Sequence, residues 1–350
     1  MSENTAVTSY YTMRELLGAV TQKFKFRQLF LELFFPDTFT FQTEEVYLDK
    51  IPGEVPMAVY CAPMVTGKVD HSRGSTTSSF KPGYVKSKHT VNSGQSIKRR
   101  PGEDPSQPLS LTERRAAIIA QNLRDEEMSI LQLEEYQGVQ AVLYGKYTLT
   151  SDRFPTQEID MQRSPENNII QSGGTAWSAQ DPDTFDPTDD IDRYADNASG
   201  AVDIIVLDGL AWKTLNGFKR FREKLDTRRG SRSRLETALK DLGDVVSYKG
   251  FYGDVMIVVY KGQYIDPDTG EKTRFMPENT LVMGNTLTRG LRTYGAIIDE
   301  DAIREGLVEG TRFPKTWTIT GDPGVTMTMT QSAPAMFLPD PDAFVIVQLA

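Results

Sequence analysis

An unbroken amphipathic run from Thr112 to Tyr144 constrains this chain more than any other feature. It contains no proline and a single glycine, Gly138. Ile119, Leu123, Ile130, Leu133, Tyr136, Val139 and Val142 recur at spacings of three, four and seven, which marks a helix with one apolar stripe. Ser110-Leu111-Thr112-Glu113 has the spacing of a capping box just ahead of it. The pattern predicts a helix over 112–144, about 50 Å long. Its other faces carry Asp125, Glu126, Glu127, Glu134 and Glu135. A helix of that length needs a broad surface to lie on, so it reads as a spine.

The segment before the spine has no core of its own. Between Ala62 and Asp104, 19 of 43 residues are Gly, Pro, Ser or Thr, and no apolar stripe runs through them. Tyr84 to Val91 still reads as strand, with Lys86 and Lys88 on one face and Ser87 and His89 on the other. Neither face is expected to bury against this chain's own core, and a lone two-stranded ribbon is marginal in water. The expected partner is a neighbouring copy of the chain. That points to assembly rather than catalysis.

Charge fits the same reading. The formal net charge is −9, yet residues 62–104 hold eight basic groups against three acidic ones, a local +5 that leaves −14 for the remainder. A basic arm on an acidic body can set the register of docking between copies. Lys81, Lys86 and Lys88 are the candidate contacts on the tongue, and Asp125, Glu126 and Glu127 of an adjacent spine are their candidate targets. A solvated basic loop is the plainer alternative. Net acidity also weighs against tight nucleic-acid binding.

At 350 residues the chain has room for two compact units. Cys61 is the only cysteine, so neither an intrachain disulfide nor a cysteine-built zinc site is expected. No stretch of about 18 apolar residues could span a bilayer, and the N-terminus lacks a signal-peptide pattern. The chain reads as made in the cytoplasm, with no membrane partner.

Thr12-Met13-Arg14-Glu15 opens a short amphipathic helix, and the aromatic run from Phe24 to Phe35 is either ordinary core or an arm anchored on another surface. Asp186-Pro187-Thr188-Asp189-Asp190 reads as a helix start rather than a metal site, with Asp186 as cap and Pro187 in the first turn. The second unit alternates strand and helix. Val202–Leu207 and Asp254–Tyr260 are buried strands, Leu215 to Leu225 gives one helix face, and Ser233 to Gly243 gives another helix. The apolar ending Phe344 to Ala350 must pair within a sheet. It is expected to complete the first unit, with the α/β unit inserted between.

No catalytic set assembles. The two histidines, His71 and His89, both lie in the polar tongue, and no Gly-rich phosphate loop follows a strand. No cofactor or metal is expected. The basic stretch from Lys219 to Arg234 suits salt bridges at subunit contacts or a solvated face. In the polar turn Asp226-Thr227-Arg228-Arg229-Gly230, Arg228 and Arg229 are candidate contacts to a neighbour.

Longer segments carry a resemblance. QKFKF at 22–26, ENNIIQSGGTAWS at 166–178, DPTDDI at 186–191, NASG at 197–200 and EKLDTRRGS at 223–231 come first. LETALKDLG at 235–243, VSYKGFYGDV at 246–255, GNT and RGLRTYG between 284 and 295, QSAP at 331–334 and DPDAFVIVQLA at 340–350 complete the set. Together they resemble the major capsid proteins of phage lambda and its lambdoid relatives, in order and over nearly the whole chain. The resemblance implies an α+β, HK97-like capsid fold with a long spine helix, an extended β-loop and an inserted α/β axial domain. It implies an N-terminal arm at 1–50, an extended loop at 51–108, a peripheral domain at 109–185 plus 331–350, and an axial domain at 186–330. It implies that the chain is not an enzyme but a shell protein that joins itself as hexamers and pentamers. Scaffold, portal and decoration proteins are the further implied partners, with packaged DNA touched only non-specifically. The implied location is the virion, after assembly in the host cytoplasm. An encapsulin-like compartment shares the fold and is the alternative reading.

Overall fold

A mixed six-stranded sheet lies at the centre of the structure, a computed structural model that describes residues 28–50, 76–98, 109–151, 154–227, 245–321 and 324–350. In spatial order its strands are Asn168–Ile170, Val345–Gln348, Thr280–Gly284, Ile204–Leu207, Val255–Tyr260 and Val246–Tyr252. Both faces are covered, which is why the inner strands read as continuous apolar runs. Ile204, Val206, Met256 and Val258 pack with Phe30, Phe34, Val139 and Val142 on the spine side. Ile205, Leu207, Ile257 and Val259 pack with Trp177, Ile191, Leu215 and Phe221 on the other. The aromatic run at 28–35 is therefore core where it is described.

The spine helix spans Leu111–Tyr144, 34 residues. Ser110 Oγ accepts the Glu113 N–H at 3.2 Å, and Glu113 Oε2 accepts the Ser110 N–H at 2.8 Å, so the capping box forms as expected. Gly138, a weakener of an isolated helix, has a packing role here. Leu31 of the helix Leu29–Phe34 comes within 3.1 Å of where a Cβ would stand.

Gly145 ends the spine at φ +66°, donating its N–H to the Ala141 carbonyl. The next orphan carbonyls are taken by a residue from further along the chain. Arg163 Nη1 donates to Leu143 O at 2.8 Å, Nη2 to Val142 O at 2.6 Å, and Nε to Pro341 O at 3.0 Å. A Cβ on Gly145 would meet the Arg163 Cβ at 2.6 Å. Gly145→Ala combines that clash with a disfavoured φ and should cost about 1–3 kcal/mol, read as a lower urea midpoint of the unassembled subunit. An unchanged midpoint would show that this helix end can rearrange freely.

Two expectations are corrected. Val85–Asn92, expected to seek a neighbouring copy, pairs instead with Val325–Ser332 of its own chain, in a three-stranded sheet completed by Phe313–Ile319. Its Val91 packs on Ile119 and Leu123 of the spine, so one face does find a core. The C-terminal strand Val345–Gln348 is paired within a sheet as expected, between Thr280–Gly284 and Asn168–Ile170. The helix read through Leu215 and Leu225 is two short ones, Gly209–Leu215 and Lys219–Lys224.

The helix Thr188–Ala195 starts one residue later than expected. Asp186 accepts from the Thr188 N–H and hydroxyl at 3.2 and 2.6 Å and from Lys224 Nζ at 2.8 Å. The helices expected at Thr12 and at 233–243, and residues Phe24, Phe26, Cys61, His71, Arg228 and Arg229, lie outside the described residues. At the base of the tongue, Val46–Lys50 and Thr76–Phe80 pair as an antiparallel ribbon.

Candidate assembly interface

Strand Val85–Asn92 is an edge strand, with Val325–Ser332 on one side and no strand among the described residues on the other. Its two faces differ chemically. Ser87, His89 and Val91 turn towards the spine, while Lys86, Lys88, Thr90 and Asn92 are exposed. The Lys86 ammonium lies 5.2 Å from the Tyr84 ring centroid. Lysines on an open edge discourage indiscriminate strand pairing while offering charge to a specific partner.

The inner face rests on a polar seam. Glu126, fully buried, accepts hydroxyl hydrogen bonds from Thr328 at 2.6 Å and Thr330 at 2.8 Å, and lies 3.2 Å from His89 Nδ1. Burial raises its pKa, opposed by the bonds from Thr328, Thr330 and His89. Next to it, Arg312 Nε meets Glu127 at 3.0 Å, and Arg312 Nη1 meets Glu134, about two turns further on, at 2.8 Å, with the guanidinium 5.6 Å from the Tyr294 ring centroid. Arg115 Nη2 donates to Thr326 Oγ1 at 2.6 Å. These bonds fix the three-stranded sheet on the first half of the spine.

This changes the candidate contacts. Glu126 and Glu127 are not targets for a neighbour's lysines, because their carboxylates serve the chain's own sheet. They fall on the buried stripe, three and four residues after Leu123, and not on the solvent face. Asp125 is exposed and accepts from Gln121 Nε2 at 2.9 Å. Lys81 forms an exposed ion pair with Glu44 of its own chain, worth little energetically. Lys86, Lys88 and Asp125 remain as outward-facing charges. Where the chain re-enters the spine, Ile97 and Leu111 expose 68% and 59% of their surface, enough to make this end partly apolar. Among the described residues no group of three His, Cys, Asp or Glu could hold a metal, and no helix is long and apolar enough to cross a membrane.

Comparison with known proteins agrees over the whole length. The family model described as phage major capsid protein E matches residues 12–349. The chain is 58% identical over 342 residues to the major capsid protein of Escherichia phage lambda, covering 98% of this chain and 100% of that one. It is 58% identical over 339 residues to the major capsid protein of Enterobacteria phage P21, covering 97% and 99%. A crystal structure of a candidate capsid protein from a prophage of E. coli CFT073 superposes with a TM-score of 0.83 at 38% identity, covering 97% of this chain and 99% of that one.

Proposed function

This chain belongs to the phage major capsid protein E family, and from that premise we propose that its basic edge strand is one of the surfaces through which copies join. It is a major capsid protein of HK97-like fold, a structural protein whose copies self-associate into the icosahedral head shell of a tailed phage. Kinship over nearly the full chain carries this conclusion and sets the encapsulin-like reading aside. Electron microscopy of the purified chain, alone and with a scaffold protein, should show closed shells. Small oligomers under both conditions would overturn the reading.

At finer grain, Lys86 and Lys88 of one copy meet the acidic surface of the next, with Asp125 as the exposed spine acid available to them. Arg228 and Arg229, outside the described residues, form a second contact. The supporting observation is an open, lysine-bearing edge on a chain of net charge −9. Exposed pairs give about 0–1 kcal/mol each and are screened beyond about 8 Å at physiological ionic strength, so their effect comes from repetition around a ring. Lys86→Glu with Lys88→Glu should lower shell yield at low salt while leaving subunit circular dichroism unchanged. Full yield from that variant would remove charge from the account of docking. Scaffold, portal and decoration proteins complete the proposed partners, with assembly in the host cytoplasm and DNA touched only non-specifically.

A further inference from the structure

The short helix Leu29–Phe34 is held at both ends by side chains from far along the chain. Gln28, at its N-cap, makes no side-chain capping bond. Glu135 of the spine takes that place: its Oε1 accepts the Phe30 N–H at 3.1 Å and its Oε2 the Leu31 N–H at 3.2 Å. The Tyr260 hydroxyl, from the central sheet, also donates to Glu135 Oε1, at 2.9 Å. At the other end Arg292 donates from Nη2 to Leu31 O at 2.7 Å and from Nε to Phe35 O at 2.6 Å. An acid at the first turn and a cation at the last both oppose the helix dipole. Gln28 Nε2 adds a bond to the Leu131 carbonyl.

We propose that Glu135 and Arg292 form a two-ended clamp that positions segment 28–35 on the spine and central sheet, and that the proton on Glu135 sets how firmly it holds. This does not depend on the shell reading. Glu135 is fully buried, so releasing the segment is what would hydrate its carboxylate. Burial pushes this carboxyl from 4.5 up to about 7, against the bonds from Phe30, Tyr260 and Leu31 and the charge of Arg292. Among the described residues Tyr260 and Arg292 are the ionisable groups facing it. Neighbouring Glu134 pairs with Arg312, and Glu32 on the short helix is exposed. A carboxyl that binds its proton more tightly when closed favours the closed clamp in acid. That advantage is complete below about 4.5 and is lost as pH rises through about 7. The clamp therefore loosens towards alkaline pH.

Hydrogen–deuterium exchange on the full chain, corrected for intrinsic rates, tests this. Exchange of a peptide covering 28–36 should rise at least about tenfold from pH 5.5 to 8, while a peptide covering the central strand Ile204–Leu207, which holds no ionisable side chain, stays level. In Glu135→Gln the 28–36 profile should be flat. Tyr260→Phe, which removes a donor to the carboxylate, should move the midpoint to higher pH. A flat wild-type profile, a slope shared by the Ile204–Leu207 peptide, or a slope retained in Glu135→Gln would each overturn the proposal. The wild-type profile decides the matter should the variants fail to fold.

Discussion

Arg163→Ala is expected to destabilise the unassembled subunit by about 3–5 kcal/mol, because it leaves several buried carbonyls without a donor at once. Arg163 is 9% exposed, and burial lowers its pKa to about 10 against the opposing charge of Asp342, so it remains a cation at neutral pH. Its fork closes the end of the spine and ties it to the turn at Pro341. Urea unfolding followed by circular dichroism gives the loss directly. Arg163→Lys should recover less than half, since an ammonium is a point donor that cannot span carbonyls lying apart. Full recovery by lysine would reduce the role of Arg163 to charge alone.

The second large effect is expected at Arg312. It is the cation shared by Glu127 and Glu134, so Arg312→Met leaves one buried and one partly buried carboxylate without their cation. Breaking a buried pair from one side costs about 3–5 kcal/mol. The check is a cycle with Glu134→Gln. Where the carboxylate is already neutral, removing Arg312 should cost less by about 1–3 kcal/mol. Additive losses would mean that the guanidinium contributes by packing over Tyr294 and not by charge.

What the sequence showed and what it hid have separate physical causes. The spine was legible to within a residue of its start because its capping box is local and Gly145 stops it. Ile204–Leu207 and Val255–Tyr260 were legible because burial on both faces leaves an apolar run. The seam was not. Glu126, Glu127 and Glu134 occupy buried stripe positions, and a periodicity judged by apolar residues alone counts them as solvent-facing. A signal was available in Thr326, Thr328 and Thr330, which alternate along one strand, the last two supplying hydroxyls to a buried acid. Arg163, Arg292 and Arg312 stand in no local motif, because their acceptors come from distant segments. For the same reason the partner of Val85–Asn92 could not be read locally, and the expected neighbour turned out to be the chain itself.

That pairing has a consequence for how copies meet in time. Strand Val85–Asn92 can be seated only after Val325–Ser332 exists to receive it, and Asp37–Thr40 likewise waits for Leu291–Tyr294. Contacts this remote in sequence make folding slow. While the polypeptide is still being translated, the lysine-bearing edge has no fixed shape to present. The edge is thus completed only when nearly the whole chain has been made, because the strand that seats it lies within the last thirty or so residues.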